Sequence, residues 1–172
     1  QFLEDGEMAI VEERKITFKN VKTGKGLPIK KQKLNWTVSQ SDKGSYPHFM
    51  LKEIHEQPEV LRDIAQQGAT GALRLALAIK KSYGTYMVGC GSASYACLAG
   101  SYLFSKIAKR HINWAIGSEF GYHLDFLTPK STVIAISQSG ETMDILESVK
   151  KAKARGATLF AIVNILGSTL YR

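Results

Sequence analysis

Three hydroxyls, a side-chain amide and a glycine fall within six residues at Ser137-Gln138-Ser139-Gly140-Glu141-Thr142. Upstream, Thr132-Val133-Ile134-Ala135-Ile136 is a continuous apolar, β-branched run of the kind that forms a strand buried on both faces. Downstream, Ile145, Leu146, Val149 and Ala152 recur at helical spacing, Lys150, Lys151, Lys153 and Arg155 crowd the last turns, and Gly156 follows as a stop. The six residues are therefore predicted to be a strand-to-helix turn. The first turn of a helix presents unpaired N–H groups and a partial positive charge, and a glycine admits a ligand close to the backbone, so the expected guest is an anion. No lysine accompanies the hydroxyls, so this is not the GxxxxGK[ST] loop of nucleotide hydrolases. A single phosphate, as carried by sugar monophosphates, fits the donor set. The competing reading is that Ser and Thr only cap the helix. Glu141 reads as a first-turn acid favourable to the helix dipole.

A second turn of similar composition, Gly89-Cys90-Gly91-Ser92-Ala93-Ser94, follows the short apolar run 85–89 and leads into a helix from about Ser94 to Arg110. That helix is apolar nearly all round, which predicts burial between the sheet and another element. Helical patterns also run from Phe49 up to Pro58, over 59–67 and over 70–81, broken by Gly68 and Gly71, and further strands are expected at 112–116 and 158–163. Strands alternating with helices at this spacing predict an α/β fold with a parallel, doubly wound sheet. Ligands of such sheets bind beyond the carboxyl ends of strands, where both serine-rich turns lie, and one shared crevice would explain both. A dinucleotide site is not expected, because the Gly89-Cys90-Gly91 pair lacks the third glycine and no acidic residue closes the next strand. No cofactor is expected.

The remaining reactive side chains do not assemble into a catalytic set. His48 and His55 lie two helical turns apart on an amphipathic segment, where surface or interface roles are expected, and Glu53 and Glu56 are spaced to pair with neighbouring lysines. His111 follows a helix carboxyl end, where a cation is favoured, and His123 has no carboxylate in an obvious relation to it. Cys90 and Cys97 sit in apolar surroundings and read as small buried hydrophobes, without a disulfide or metal pairing. The net charge of +8 is spread over Lys22, Lys25, Lys30, Lys31, Lys33 and Lys43 among others, with no nucleic-acid-binding signature, so nucleic acid is not the expected partner. With 44% hydrophobic and 22% charged residues, no apolar run long enough to span a membrane and no signal peptide, a cytoplasmic protein without membrane attachment is expected.

The first third has a different character. Met8-Ala9-Ile10-Val11 and Lys15-Ile16-Thr17-Phe18 read as short strands punctuated by Gly6 and Gly24, and a hairpin of that size is marginal alone. Residues 1–36 are expected to belong to a larger sheet, 37–47 to be a linker, and 48–172 to form the α/β domain.

Taken together, Ser137-Gln138-Ser139-Gly140-Glu141-Thr142, the Asn164…Gly167-Ser168 loop, Ser118-Glu119-Phe120, the run from His48 to Pro58, and Phe2-Leu3-Glu4-Asp5-Gly6-Glu7 resemble the glutamine:fructose-6-phosphate amidotransferase family over nearly the whole chain. The resemblance implies the end of a glutaminase domain followed by the first of two sugar isomerase (SIS) domains, a three-layer α/β/α unit with a mostly parallel sheet. It implies that the phosphate of fructose 6-phosphate or glucosamine 6-phosphate lies on Ser137, Gln138, Ser139 and Thr142, with Cys90, Gly91, Ser92 and Ser94 by the sugar hydroxyls. The family usually reads C-G-T-S where this chain has Cys90-Gly91-Ser92-Ala93, so Ala93 takes the place of a sugar-contacting serine and Ser94 falls one position late. It also implies that the glutaminase nucleophile and the isomerase acid–base residues lie outside this stretch, so that the chain by itself binds without turning over. The nearly all-apolar helix and the helices around 48–67 offer surfaces that something must cover, and a homodimer is expected. Two alternatives share the SIS fold: a non-catalytic module sensing a phosphosugar, and a stand-alone sugar-phosphate isomerase. The strands ahead of the domain speak against both.

Overall fold

The computed structural model describes residues 3–29 and 42–172, which fall into two units, Gln1–Gln57 and Pro58–Arg172. In the first, β1 (Glu7–Glu12) and β2 (Lys15–Asn20) pair antiparallel from Glu7 opposite Asn20 to Glu12 opposite Lys15, and β3 (Gly26–Leu27) adds a third strand beside β2. Asn20 closes the β2–β3 turn by accepting the Lys22 and Thr23 amides on its Oδ1 at 3.0 Å each. Phe18 is buried, whereas Val11 and Ile16 are exposed. Residues 37–41 of the expected linker, and Lys30, Lys31 and Lys33, lie outside the described residues.

Helix α1 (Phe49–Gln67) runs through Pro58 as one element, where the sequence predicts a helix ending before the proline and a second one after it. A proline removes one i→i−4 bond and crowds the carbonyl four residues back. The helix formers around it, Glu56, Gln57, Glu59, Leu61 and Arg62, continue the helix across that single defect. In the first unit, His55 stacks on Tyr46 at 5.4 Å and Lys52 pairs with Glu56 at 3.2 Å.

In the second unit, helix α2 (Ala69–Lys81), set off by Gly68 alone, buries Ile79. The sheet has the order β5-β4-β6-β7 with every pairing parallel, its strands being β4 (Gly84–Gly89), β5 (Asn113–Ile116), β6 (Ser131–Ser137) and β7 (Thr158–Val163). Alternate residues along β4 and β6 point to opposite faces. Tyr86, Val88, Val133 and Ala135 pack with Ala115, Phe120, Ile145 and Ala152 on one face. Met87 and Ile134 pack with Ile79, Cys97 and Ile112 on the other. Helix α4 (Met143–Ala154) and the 3-10 segment Gly117–Phe126 therefore cover the first face, while α3 (Ser92–Ala108) and α2 cover the second, which makes the three-layer α/β/α arrangement.

Helix α3 departs from its expected burial. It buries only the stripe Ser94, Cys97 and Ser101, leaving Tyr95, Tyr102, Leu103 and Ile107 exposed. An all-round apolar composition reports that two sides can be covered; within this chain the sheet covers one.

Candidate functional site

The strand order decides where the two serine-rich turns meet. After β4 the chain moves outward through α3 to β5, then crosses back to the other side of β4 to form β6, and continues outward through α4 to β7. Such a reversal between neighbouring strands is the topological switch point at which parallel sheets bind ligands. Gly89 is paired with Ile136 in the β4–β6 register, so both turns emerge side by side from the carboxyl edge. A side chain at Gly117, where β5 ends, would meet Cys90 Sγ at 2.7 Å and Ile145 Cδ1 at 3.0 Å, so the ends of β4 and β5 and the start of α4 converge there.

The 137–142 turn is organised by its own hydroxyls. Ser137, almost fully buried, accepts the Gly140 amide on Oγ at 3.1 Å and shares a hydrogen bond with Thr142 Oγ1 at 2.9 Å. Ser139 Oγ accepts the Glu141 amide at 3.1 Å. Thr142 is the N-cap residue of α4, yet its hydroxyl makes no capping bond, and the first two α4 amides keep no intrahelical partner. Capping alone is therefore not what these hydroxyls do. Gln138 is exposed, and Ser139 and Thr142 are half-exposed at the rim.

The 89–94 turn is built differently. A Cβ on Gly89 would lie 2.6 to 2.8 Å from the backbone of Ala93 and Ser94, so only glycine lets the first turn of α3 close onto β4. Gly91 has φ +55° with ψ −129°, a backbone conformation outside the left-handed helical region and used in practice by glycine. Ser94 is buried and donates to the Gly91 carbonyl at 2.7 Å; Ser92 and Gly91 are exposed, and Cys90 is half-buried. Cys97, inside the second core, has its thiol pushed up to about 11 by burial.

A third loop, which the sequence contributes only as part of a motif, completes the edge. Following β7, residues 164–172 fold back over the turn: the Asn164 amide donates to the Gln138 carbonyl at 3.2 Å and the Leu170 amide to the Gly140 carbonyl at 3.0 Å. Gly140 has φ +67°, and a Cβ there would collide with Ser168 Oγ and lie 2.6 Å from Ser168 Cβ. Ser168 is fully buried, and its hydroxyl has no partner within the protein. Glu141, expected to serve the helix dipole, instead accepts the Thr169 amide on Oε1 at 2.7 Å. That bond, then the Thr169 hydroxyl and least the charge of Arg172, holds its carboxyl below the usual glutamate range. The only local signal was a glycine and serine after a third strand, Gly167-Ser168, the same signature as at the first two.

A cleft of about 610 Å³ borders this edge between α4, β7 and the third loop, lined by Met143, Leu146, Leu159, Thr169 and Arg172 among others. Smaller clefts lie around the sheet. One of about 400 Å³, lined by Leu75, Phe160 and Ile162 among others, separates α2 from β7. Another of about 220 Å³ runs between the 3-10 segment and α4 past Gly117, Asp144 and Ser148. Among the described residues no group of three His, Cys, Asp or Glu side chains could hold a metal ion. His123 is absorbed in an aromatic cluster with Tyr86 and Phe120, its ring 6.1 and 6.2 Å from theirs, and His111 sits 3.3 Å from Asn113 Oδ1.

The family model for the SIS domain matches residues 78–172, which contain the whole sheet, α3, α4 and all three loops. The chain belongs to the SIS domain family. This SIS domain and the residues ahead of it are 35% identical over 178 residues to glutamine–fructose-6-phosphate aminotransferase (isomerizing) of Thermus thermophilus, covering 99% of this chain and 29% of that protein. They are 38% identical over 172 residues to the protein of the same name in Thermococcus kodakarensis, with the same two coverages. The chain thus spans about 29% of the length of these curated relatives. Among solved structures, the C-terminal domain of glucosamine-fructose-6-phosphate aminotransferase from Francisella tularensis superposes with a TM-score of 0.63 at 31% identity, covering 75% of this chain and 38% of that one. Tagatose-6-phosphate ketose/aldose isomerase from Escherichia coli shares the fold, with a TM-score of 0.61 at 16% identity over 73% of this chain and 37% of that one.

Proposed function

We propose that this SIS domain is the sugar-phosphate-binding part of a longer amidotransferase that makes glucosamine 6-phosphate from fructose 6-phosphate and glutamine. The observation that carries this reading is the hydroxyl-lined turn 137–142 at the switch point, in a chain similar over 99% of its length to aminotransferases of that name. Ser137 fixes the turn, while Ser139, Thr142, Gln138 and the free first-turn amides of α4 supply donors that suit a dianionic phosphate. Cys90, Gly91, Ser92 and Ser94 flank the sugar. The transfer and isomerisation chemistry belongs to the longer protein, and the present chain binds without converting. In the same reading 1–36 ends a glutaminase domain, 37–47 links it and 48–172 is the first SIS domain. The protein is a cytoplasmic homodimer, a surface for which is offered by Tyr95, Tyr102, Leu103 and Ile107.

Calorimetric titration with fructose 6-phosphate, with unphosphorylated fructose as control, tests this. Saturable binding of the phosphorylated sugar alone, lost in the folded Ser137→Ala/Thr142→Ala variant, is expected. Equal binding of both sugars, or an unchanged affinity in the variant, would remove the phosphate from this turn.

A further inference from the structure

Hydrogen bonds of two kinds tie the loop after β7 to the turn after β6. Two are backbone to backbone, from Asn164 to Gln138 and from Leu170 to Gly140, at 3.2 and 3.0 Å. The other kind, at 2.7 Å, runs from the Thr169 amide to the carboxylate of Glu141. Its geometry is set by two neighbours. Glu141 follows Gly140, whose missing Cβ lets Ser168 pack directly on the turn, and precedes Thr142, whose hydroxyl is held by Ser137. The acceptor therefore stands on a fixed base, while the donor belongs to a loop whose residues Asn164, Ile165, Leu166 and Thr169 are all exposed. A carboxylate beside a phosphate-binding turn would repel the guest if both faced the same space. Here its Oε1 is engaged by the Thr169 amide, with Arg172 the other charged group acting on it.

We propose that Glu141 is a positioning residue, a latch that holds the 164–172 loop against the phosphate turn and so sets the affinity for the sugar phosphate without touching it. This rests on the reading of the 137–142 turn given above. The latch keeps Ser168 seated on Gly140 and keeps the turn's carbonyls engaged, which leaves its hydroxyls and amides in place for the ligand. The ionised carboxylate is the stronger acceptor for the Thr169 amide, and a neutral oxygen in its place keeps part of the bond.

The test compares Glu141→Ala, which removes the acceptor, with Glu141→Gln, which keeps an oxygen acceptor and loses the charge, in the full 172-residue chain. Two readouts are taken: amide hydrogen exchange at Thr169 and Leu170, and the Kd for fructose 6-phosphate, with melting temperature as a check on folding. Glu141→Ala is expected to speed exchange at Thr169 about tenfold and weaken binding about three- to tenfold, the scale of one hydrogen bond to a charged group at the surface. Glu141→Gln is expected to restore part of both. Unchanged exchange in Glu141→Ala overturns the latch. Faster exchange with unchanged affinity overturns its role in binding, and tighter binding in both variants would mean that the carboxylate faces the phosphate. If the wild-type chain binds no fructose 6-phosphate while its exchange responds as described, the phosphate reading fails and the latch stands as a loop clamp only.

Discussion

Two turns of nearly the same composition stand side by side on the carboxyl edge of the sheet, and they spend their glycines and serines in opposite ways. In the 89–94 turn the glycines serve packing: Gly89 lets the backbone of Ala93 and Ser94 approach β4, and Ser94 turns inward to its own loop. In the 137–142 turn the glycine serves a neighbouring loop, and the hydroxyls of Ser137 and Ser139 fix backbone amides while Thr142 and Gln138 stay at the rim. Composition marks both as turns of the same kind. Whether a hydroxyl is available to a ligand depends on which way the following helix leaves the sheet, and α3 and α4 leave toward opposite faces.

A methyl group added at each glycine tests the difference between the turns most severely. Gly140→Ala and Gly89→Ala are both expected to cost about 3 kcal/mol or more, because each Cβ overlaps atoms that cannot swing away and Gly140 also has a positive φ. Thermal or denaturant unfolding measures the cost; only Gly140→Ala should also abolish sugar-phosphate binding at temperatures where the variant is folded. Gly91→Ala meets nothing within 4 Å and is strained only by its backbone, φ +55° with ψ −129°, an expected loss of about 2 kcal/mol. A loss as large as that of Gly89→Ala would show that the turn is more tightly enclosed than its geometry indicates.

The serines sharpen the contrast. Ser137→Ala leaves the buried Gly140 amide and the Thr142 hydroxyl without their shared partner, so a destabilisation of about 1–3 kcal/mol together with weaker phosphate binding is expected. Ser94→Ala removes a donor from one carbonyl and should cost about 1 kcal/mol, with a smaller loss of sugar-phosphate affinity than Ser137→Ala. Comparable losses of affinity in both would erase the distinction between the two turns.

The smallest effect concerns pH. The folded Glu141 carboxyl is held low by the Thr169 amide. Its contribution is therefore fully present above the ordinary glutamate range and is lost as pH falls through the lowered folded value. Protection of the Thr169 amide from exchange, corrected for intrinsic rates, should fall on acidification in the wild type and stay flat in Glu141→Gln. Parallel profiles would separate the loop from the titration of this residue.

Much of this arrangement was legible in the sequence because it rests on local periodicity. The apolar run at 132–136, the helical spacing from Ile145 to Ala152 and the glycine-hydroxyl clusters after two strands each mark an element within a dozen residues, and the elements formed there. The sequence also determined the chemistry on offer at the edge, hydroxyls and amides without lysine. Tertiary structure decided the rest, and each case involves partners far apart in the chain. The order β5-β4-β6-β7 brings the turns together through a crossover that no local pattern encodes. Helix α1 runs through Pro58, since one missing bond does not outweigh the helix formers on either side. Helix α3 has one face covered despite its all-round apolar composition, because coverage depends on what packs there and not on what the helix would accept. Glu141, read locally as a partner of the helix dipole, found the Thr169 amide 28 residues away. A hydrogen bond is decided by which donor the folded chain delivers to within 3 Å, and a single carboxylate carries no mark of that in its own neighbourhood.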